Sequence, residues 1–293
     1  SAAFSYDKSS FNQSEANPTP TITGTTGGTF SSDAGVSFVS TSTGEIDLSA
    51  STIASHTIFY IVDGVQASQT IDITAAPFSN IYSFEFDGID EEFILSSNFV
   101  GSGEFTLSLW IKPTALNNNQ NVLGFSSSGS NWINTSSTTL IRVKMKSGSP
   151  LNFVESGGNN LVLNAWNHIL IYRDSSNDIG VFVNGATFGS TINNSLDINL
   201  KTIGRGTSTK FFEGNIDEVA FWNTNESSDI SSIYSGGTPS NLSLLSPIHW
   251  YRMGDEATFN SGTGFWTLTD QGSGGNNATS NNMEEADRKT NTP

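Results

Sequence analysis

The sequence predicts an all-β protein made of two β-sandwich units in tandem. Apolar and polar residues alternate along most of the chain, which is the period of a half-buried strand, and helical periodicity is nearly absent. Turn dipeptides such as Asp63-Gly64 separate short β-branched runs. Near Ile81 the pattern changes from short runs to longer strands that contain tryptophan, so we expect the boundary between the two units there.

Composition limits the classes of partner. The 293 residues are 35% hydrophobic and 11% aromatic, which is enough for the cores of about two domains. The chain has 28 acidic residues against 12 basic ones and a net charge of −16, which disfavours nucleic acids and anionic membranes and suits divalent cations. It contains no cysteine, which excludes disulfides, thiolate nucleophiles and thiolate metal sites. No apolar run approaches the roughly 20 residues of a membrane span.

Residues 1–78 are predicted to form the first unit. Their clearest strands are "HTIFYIV" and "QTIDIT", joined by "DGVQAS", in which Asp63-Gly64 signals a hairpin. The segments "GGTFS" and "STGEIDLS" and the final strand resemble the bacterial immunoglobulin-like repeats found on surface proteins of Bacteroidetes. The resemblance implies an immunoglobulin-like β-sandwich that serves as a spacer.

Residues 79–270 are predicted to form the second unit. One helix is expected, in "SSDISSIYSGG", with Ser227 or Ser228 as its N-cap and Gly236 as its stop. After Asp270 the strand pattern is lost. We therefore predict that residues 271–293 form an extended C-terminal arm without a core of its own, of the kind that becomes ordered on a neighbouring subunit.

Four ordered sequence blocks of the second unit resemble a known fold family. They are "SFEFDGIDEEFIL", "FTLSLWIKP", "AWNHILIY" with "IGVFVNG", and "IGRG" with "FFEGNIDEVAFWN". In order and spacing they are similar to the laminin G-like, concanavalin A-like jelly-roll domain. The resemblance implies a jelly-roll sandwich over residues 80–270 with a lectin-like binding role. The closing stretch, from "SPIHWYRMGD" onward, is similar to the ends of jelly-roll proteins of marine tailed phages, which implies a virion setting.

The segment "FFEGNIDEVAFWN", residues 211–223, reads as a strand with two adjacent carboxylates. Strict alternation places Asp217 and Val219 on one face and Ile216 on the other, so Asp217 and Glu218 should point to opposite sides. An acid among apolar neighbours needs a partner. The partner of Asp217 is therefore the first functional question that the sequence raises.

A calcium ion is one answer. The family resemblance implies a cation at the edge of the sandwich, and the positions that match its ligands are Asp87 and Asp90 in "FDGID" and Asp217 in "NIDEV". Ca²⁺ takes six to eight oxygen ligands and accepts carboxylates readily. The alternative is that Asp217 accepts backbone N–H groups or pairs with an arginine such as Arg205.

Glycoside hydrolysis is a distant alternative. Retaining glycosidases need two carboxyl groups about 5 to 5.5 Å apart, which Glu85 and Asp87 would supply as alternate residues of a strand. The signature of laminarinase-like enzymes is E-x-D-x-x-E, however, and "EFDGIDEE" interrupts it with Gly88 and has Asp90 where a glutamate is required. None of the three histidines belongs to a recognisable Ser-His-Asp motif.

Trp132 is a candidate for carbohydrate binding. It lies in "SSSGSNWINTSSTT", where loop residues surround it, and Asn131 and Asn134 flank it. An exposed indole would stack on a sugar ring while the two amides bind its hydroxyls. The alternative is that Trp132 closes the end of the sandwich or contacts a neighbouring subunit.

These inferences predict a non-catalytic surface protein with a structural or adhesive role. We expect a virion component, such as a capsid decoration or a fibre, whose jelly roll binds glycans or neighbouring subunits. A carbohydrate-binding adhesin module of a bacterial cell surface is the alternative, and a glycoside hydrolase is the distant one. The expected partners are other copies of the chain, other virion or surface proteins, and glycans on a host, and the expected location is the virion surface or the cell exterior.

Overall fold

The computed structural model describes residues 1–75, 77–125, 130–146 and 148–293. The chain divides into two compact units, Ser1–Ser79 and Asn80–Pro293, one residue away from the boundary expected from the sequence. Nearly all regular structure is β-strand, which confirms the predicted fold class. Among the described residues, no helix has the length and apolar character that a membrane crossing requires.

The first unit is built around one four-stranded sheet. Its strands are β1 (Phe4–Ser5), β2 (Ser10–Asn12), β3 (Thr21–Ile22), β4 (Thr29–Ser32), β5 (Ser37–Ser40), β6 (Glu45–Asp47), β7 (Ala54–Val62) and β8 (Val65–Thr74). The sheet order is β2-β8-β7-β4, with β2 parallel to β8, and β1-β3 and β5-β6 form separate pairs. Aromatic and β-branched side chains fill the core, among them Phe30, Ile58 and Tyr60. The immunoglobulin-like character of this unit stays a prediction.

The predicted hairpin at Asp63-Gly64 is confirmed. Val62 pairs with Val65, so the turn contains only Asp63 and Gly64, and strand β8 begins within the segment that was expected to be a loop. Both turn residues have positive φ, 50° and 75°. Asp and Gly tolerate this conformation, which matches the twist of the two flanking strands.

The second unit is a sandwich of two large antiparallel sheets. Its strands are β9 (Ser83–Asp87), β10 (Glu92–Gly101), β11 (Phe105–Pro113), β12 (Asn121–Gly124), β13 (Trp132–Ser137), β14 (Leu140–Lys144), β15 (Leu151–Val154), β16 (Asn167–Arg173), β17 (Asp178–Val183), β18 (Ala186–Thr187), β19 (Ile192–Asn193), β20 (Ile198–Ile203), β21 (Arg205–Thr207), β22 (Lys210–Phe211), β23 (Glu213–Trp222), β24 (His249–Tyr251), β25 (Ala257–Asn260), β26 (Phe265–Leu268), β27 (Ala278–Asn281) and β28 (Arg288–Lys289). One sheet has the order β15-β14-β13-β12-β20-β10-β27-β26-β25. The other has the order β18-β17-β16-β11-β23-β9-β28, with β19 beside β17 and β24 beside β23.

Alternation along the strands builds the core between these sheets. On β11, Leu107, Leu109 and Ile111 belong to the apolar cluster that also contains Phe93 and Leu95 of β10 in the other sheet. Thr106, Ser108 and Trp110 of the same strand point away from this cluster and are nevertheless buried. The outer face of this strand is therefore covered by further structure.

Short helices accompany the sheets. The predicted helix is present as a 3-10 turn at Ser227–Asp229 followed by α1 (Ile230–Tyr234), and it ends at Ser235, whose φ is +48°, one residue before the expected stop. Further 3-10 turns are found at Leu242–Leu245 and Glu285–Asp287.

The predicted coreless C-terminal arm is wrong. Strand β27 lies inside a sheet, where it pairs with β10 on one side and with β26 on the other. Ala278 and Met283 are fully buried in the core, and β28 pairs with β9. The sequence pattern failed here because β27 is the small polar segment "ATSN", which has no apolar run to mark it as a strand.

Candidate functional site

An acidic cleft lies where β9 ends and β23 begins. Asp87 pairs with Glu213 across these two strands, and the chain then turns at Gly88, whose φ is +77°. A Cβ atom at Gly88 would lie 2.9 Å from the Cβ of Glu213, so the turn requires glycine both for its conformation and for space. The cleft has a volume of about 310 Å³ and is lined by Glu85, Phe86, Asp87, Glu91, Thr114, Glu213, Gly214 and Asp287.

The carboxylates of the cleft differ in their environments. Glu85 is half exposed and lies 3.0 Å from the Nζ of Lys289. Glu213 accepts a hydrogen bond from Thr114 at 3.1 Å. Glu91 is only 7% exposed, and its Oε2 accepts the backbone N–H of Asp87 at 2.6 Å. Glu85 and Glu213 therefore offer hydrogen-bond acceptors at the mouth of the cleft, whereas the buried Glu91 stabilises the turn through its hydrogen bond to the backbone of Asp87.

Glu91 and Asp287 form a carboxyl pair at the base of the cleft. The pKa of Glu91 is raised to about 8, mainly by burial and also by the neighbouring charges of Asp287 and Asp87, against the hydrogen bond that it accepts from Asp87. Two adjacent carboxyl groups share a proton more readily than they both ionise. The base of the cleft therefore carries less negative charge at neutral pH than its composition suggests.

Asp87 and Asp90 are turn residues. Oδ1 of Asp87 accepts the backbone N–H of Ile89 at 2.7 Å and that of Asp90 at 3.4 Å, which holds the turn in shape. The carbonyl of Asp90 accepts a hydrogen bond from Asn282 at 3.2 Å. Both side chains lie at the surface.

Asp217 is separated from these two residues. The partner of Asp87 on β23 is Glu213, four residues before Asp217, which corresponds to about 13 Å along a strand. Within the described ranges, no group of three His, Cys, Asp or Glu side chains has the geometry to hold a metal ion. The predicted ligand set therefore does not fit one calcium ion, and calcium binding stays a prediction that this geometry does not favour.

Asp217 and Glu218 lie in a β-bulge of β23. Glu218 has a φ of +48°, and the pairing with β11 shifts between Asp217 and Ala220. Because the bulge adds one residue, Ile216 and Val219 both face the core, and the two carboxylates between them hydrogen-bond to Asn80 and Trp250, which lie outside the apolar cluster. The expectation that alternation places Asp217 and Glu218 on opposite faces is wrong for this reason.

The partners of the two carboxylates come from distant parts of the unit. Asp217 has no exposed surface, and its Oδ2 accepts a hydrogen bond from Nδ2 of Asn80 at 2.8 Å. Glu218 accepts hydrogen bonds from the indole of Trp250 at 2.6 Å and from Nε of Arg252 at 3.3 Å. Oδ1 of Asp217 also accepts the backbone N–H of Glu218 at 2.9 Å, in agreement with the alternative expected from the sequence. The other partner of Asp217 is thus the side-chain amide of the first residue of the unit, and Arg205 instead lies 2.9 Å from Glu92.

The expected exposed platform at Trp132 is not present. Trp132 begins strand β13 and is only 9% exposed. The Oδ1 of Asn131 accepts the backbone N–H groups of Lys146 and Asn199, and Nδ2 of Asn134 donates to Oδ1 of Asn121 at 2.8 Å. The amides that were expected to bind hydroxyls therefore satisfy groups of the protein itself. Residues 126–129 of the predicted loop lie outside the described residues.

Sequence reasoning missed four residues of these clusters. Asn80, Arg252 and Asp287 reach their partners over long sequence separations, 137 residues in the case of Asn80 and Asp217. Glu91 follows Asp90, a predicted calcium ligand, but only its burial distinguishes it from the other acidic residues of "FDGIDEE". A single sequence has no local signal for pairings of this kind.

Comparison with known proteins identifies the fold of the second unit. Residues 87–229 match the family described as the concanavalin A-like lectin/glucanases superfamily. The sandwich is therefore concanavalin A-like, as the sequence blocks predicted. None of the curated proteins matches the chain.

The chain is similar to several solved structures at low sequence identity. A protein from Bacteroides ovatus, named as a candidate carbohydrate-binding protein, is 14% identical over 95% of both chains, with a TM-score of 0.55. The heptameric SAP-like pentraxin of Limulus polyphemus is 13% identical over 54% of this chain and 84% of its own, with a TM-score of 0.44. Domain 4 of an extracellular arabinanase from Geobacillus stearothermophilus, solved with arabinotriose, is 16% identical over 64% and 84%, with a TM-score of 0.37. At 14% identity the similarity to the Bacteroides ovatus protein concerns the fold alone.

Proposed function

We propose that the chain is a non-catalytic, lectin-like surface protein whose second unit binds carbohydrate. The observation that supports this most is the similarity to the Bacteroides ovatus protein, because it extends over 95% of both chains and so includes the first unit as well as the sandwich. The match of residues 87–229 to a lectin and glucanase superfamily points to the same class of ligand.

The acidic cleft is the proposed binding site. Carbohydrate sites are concave and present a few polar groups at fixed positions. Glu85, Asp87 and Glu213 surround the mouth of the cleft, and their oxygens accept hydrogen bonds from sugar hydroxyls. Hydrogen bonds to a charged group contribute about 1.5 to 3 kcal/mol each, so two of them suffice for a weak, specific contact.

Binding of the full chain to a panel of neutral and acidic glycans tests this proposal. We expect Glu213→Gln to weaken binding about five- to tenfold, or about 1 to 1.4 kcal/mol, because a neutral amide is a weaker acceptor than a carboxylate. Asp63→Asn is the matched control, since it removes one exposed carboxylate from the first unit and Asn suits the same turn. If no glycan binds, or if both variants lose affinity equally, the cleft is not the site.

The non-catalytic part of the proposal has its own test. Glu85 and Asp87 lie side by side in the cleft, where a glycosidase would need an acid and a nucleophile. We expect no release of reducing ends from β-glucans, with or without Glu85→Gln. Sustained turnover that this substitution abolishes would assign the distant alternative, a glycoside hydrolase.

The proposed setting is the surface of a virion. The similarity of the closing stretch to phage jelly-roll proteins supports it, and a bacterial cell-surface adhesin is the alternative. Quantitative mass spectrometry of purified particles and of cell-surface fractions distinguishes the two. A fixed copy number per particle is expected for a capsid decoration or a fibre, and enrichment in the cell-surface fraction alone would favour the adhesin.

A further inference from the structure

Strands β25, β26 and β27 form an uncharged part of an acidic protein. They read "ATFN", "FWTL" and "ATSN", so no residue in them carries a charge, although the chain has a net charge of −16. The three strands are neighbours at one end of their sheet. They also lie outside residues 87–229, the part of the chain that matches the lectin and glucanase superfamily.

Alternation gives these strands one face toward the core and one toward solvent. On β26, Trp266 and Leu268 belong to the apolar cluster, so Phe265 and Thr267 point outward. Phe265 is 45% exposed, which is more than any other aromatic side chain in the part of the chain that the structure describes. Its ring is therefore available to a ligand, and it is carried by a strand that is paired on both sides.

Threonines form a row across the same face. Thr258 of β25 is in register with Thr267 of β26, and Thr267 is in register with Thr279 of β27. Neighbouring strands lie about 4.8 Å apart, so the three hydroxyls recur at about that spacing. None of these hydroxyls forms a hydrogen bond with another described residue. Each of them can donate one hydrogen bond and accept two.

Two amides add to the polar groups of this face. Asn260 lies directly across from Phe265, and its Oδ1 accepts the backbone N–H of Gly262 at 2.9 Å, while its Nδ2 donates to no described residue. Asn281 of β27 donates from Nδ2 to Glu92 at 3.4 Å, and its Oδ1 accepts from no described residue. The aromatic ring thus has both donors and acceptors near it.

The charge and the size of this face select its ligand. The net charge of the chain repels a polyanion, and a cationic ligand finds no carboxylate on these strands. Three strands of four residues cover about 14 by 13 Å, or roughly 190 Å². Each partner of a standard protein–protein interface buries about 800 Å², so the face is too small for such a partner. It suits a small, uncharged ligand that has both an apolar ring face and hydroxyl groups.

We infer that the outward side chains of β25, β26 and β27, here called the Phe265 face, bind a neutral glycan as a second carbohydrate site. The apolar face of a sugar ring packs on Phe265, and its hydroxyls bind the row Thr258, Thr267 and Thr279. The inference rests on the proposed function for the class of ligand, but not on the acidic cleft. Glu213 of the cleft belongs to β23 in the other sheet.

An array of neutral and acidic oligosaccharides, including β-glucans, xylans, mannans and galactans, selects the probe for the full chain. Backbone amide shifts in NMR titrations then give a dissociation constant for each site separately. At the Phe265 face, Phe265→Ala should weaken binding of the neutral probe at least about fivefold, the lower limit for stacking on an aromatic ring. Phe265→Trp should preserve it. Thr267→Val, which keeps the shape but removes one neutral hydrogen bond, should weaken it about two- to tenfold.

Val154→Ala is the matched control, because it removes an exposed apolar side chain from β15, at the opposite end of the same sheet. It should leave the affinity unchanged. All six tryptophans lie in the second unit, so their fluorescence reports the unfolding of that unit alone and verifies that each variant is folded.

The comparison with Glu213→Gln separates this inference from the proposed function. Amide shifts confined to the cleft, with affinity lost only in Glu213→Gln, would retain carbohydrate binding and overturn the second site. Binding of acidic oligosaccharides alone would have the same meaning, and equal binding by Phe265→Ala and Val154→Ala would also overturn the inference. Absence of binding to every oligosaccharide would overturn both proposals. A dimer in sedimentation velocity that Phe265→Ala dissociates would show that the face joins two copies of the chain, which also overturns the inference.

Discussion

The guanidinium carbon of Arg142 lies 5.3 Å from the centroid of the Trp132 ring. Arg142 is held over the ring by Asn152, which accepts from its Nε at 3.2 Å, and by Asn118, which accepts from its Nη1 at 3.3 Å. A cation over an indole face stabilises by about 0.5 to 2 kcal/mol. The ring is thus covered by its own chain and is part of the structure of the sheet.

Trp132→Ala should therefore destabilise the second unit. We expect a loss of about 3 to 5 kcal/mol in the free energy of unfolding, because a large, nearly buried side chain is removed. Denaturant unfolding followed by tryptophan fluorescence measures it. Phe265→Ala, at a 45% exposed aromatic of β26, is the control and should change the free energy by less than about 0.5 kcal/mol. Loss of glycan binding with unchanged stability would instead restore Trp132 as a binding residue.

Removal of residues 271–293 should unfold the second unit. The deletion takes away β27 from the middle of a sheet and the buried Met283 from the core. Met283→Ala alone should cost about 2 to 5 kcal/mol. Far-ultraviolet circular dichroism and tryptophan fluorescence of the truncated chain measure the outcome, with deletion of Pro293 alone as the control. A truncated chain that melts like the full one would mean that β27 contributes no stability.

His168 should make the second unit sensitive to acid. Its Nε2 lies 2.8 Å from the hydroxyl of Ser108, and burial lowers the pKa of His168 to about 3. In the unfolded chain His168 binds a proton below about pH 6.5, whereas in the folded chain it stays neutral until about pH 3. The free energy of unfolding therefore falls as pH drops from about 6.5 toward 3, by up to about 1.4 kcal/mol per pH unit.

Comparison of wild type with His168→Gln between pH 6.5 and 4 isolates this effect, because the carboxyl groups of the bulge are the same in both. The variant should lose less stability per pH unit than the wild type. His56→Gln is the control, since His56 lies in the first unit and should not alter the tryptophan-detected transition. Parallel pH profiles for wild type and His168→Gln would contradict the prediction.

Calcium should have little effect on the melting temperature of the second unit. A ligand at 100 times its dissociation constant adds about 2.7 kcal/mol to the stability of the state that binds it, which melting experiments detect easily. Asp87 and Asp217 lie too far apart to share one ion, so we expect the same melting curve with calcium and with a chelator. A calcium-dependent increase that Asp217→Asn removes would show that the loops rearrange to assemble the site first predicted from the sequence.

Local sequence patterns predicted the fold because the strands of the core obey them. On β11, "FTLSLWIKP", alternate residues from Phe105 to Ile111 enter the apolar cluster, and at Asp63-Gly64 two residues with suitable backbone preferences define a hairpin. Both features depend only on neighbours in sequence.

The candidate sites could not be predicted in the same way. The extra residue at Glu218 moves the side chains after it to the opposite face of β23 from the one that strict alternation predicts. No pattern in the sequence marks a bulge whose extra residue is a glutamate with positive φ. Asn80 and Asp217 meet only after the whole sandwich has formed. The serines and asparagines around Trp132 predict an exposed loop, but strand pairing and Arg142 cover the ring.

The central position of β27 also has a consequence for biosynthesis. During translation β10 is synthesised almost two hundred residues before β27, the strand that pairs with it. The separation between β9 and its partner β28 is about as long. The sandwich therefore completes its sheets only when synthesis has passed Lys289, whereas the first unit can fold while translation continues. A nascent chain interrupted before this point exposes unpaired strand edges, which chaperones and proteases recognise, so only translation through Lys289 yields a folded sandwich.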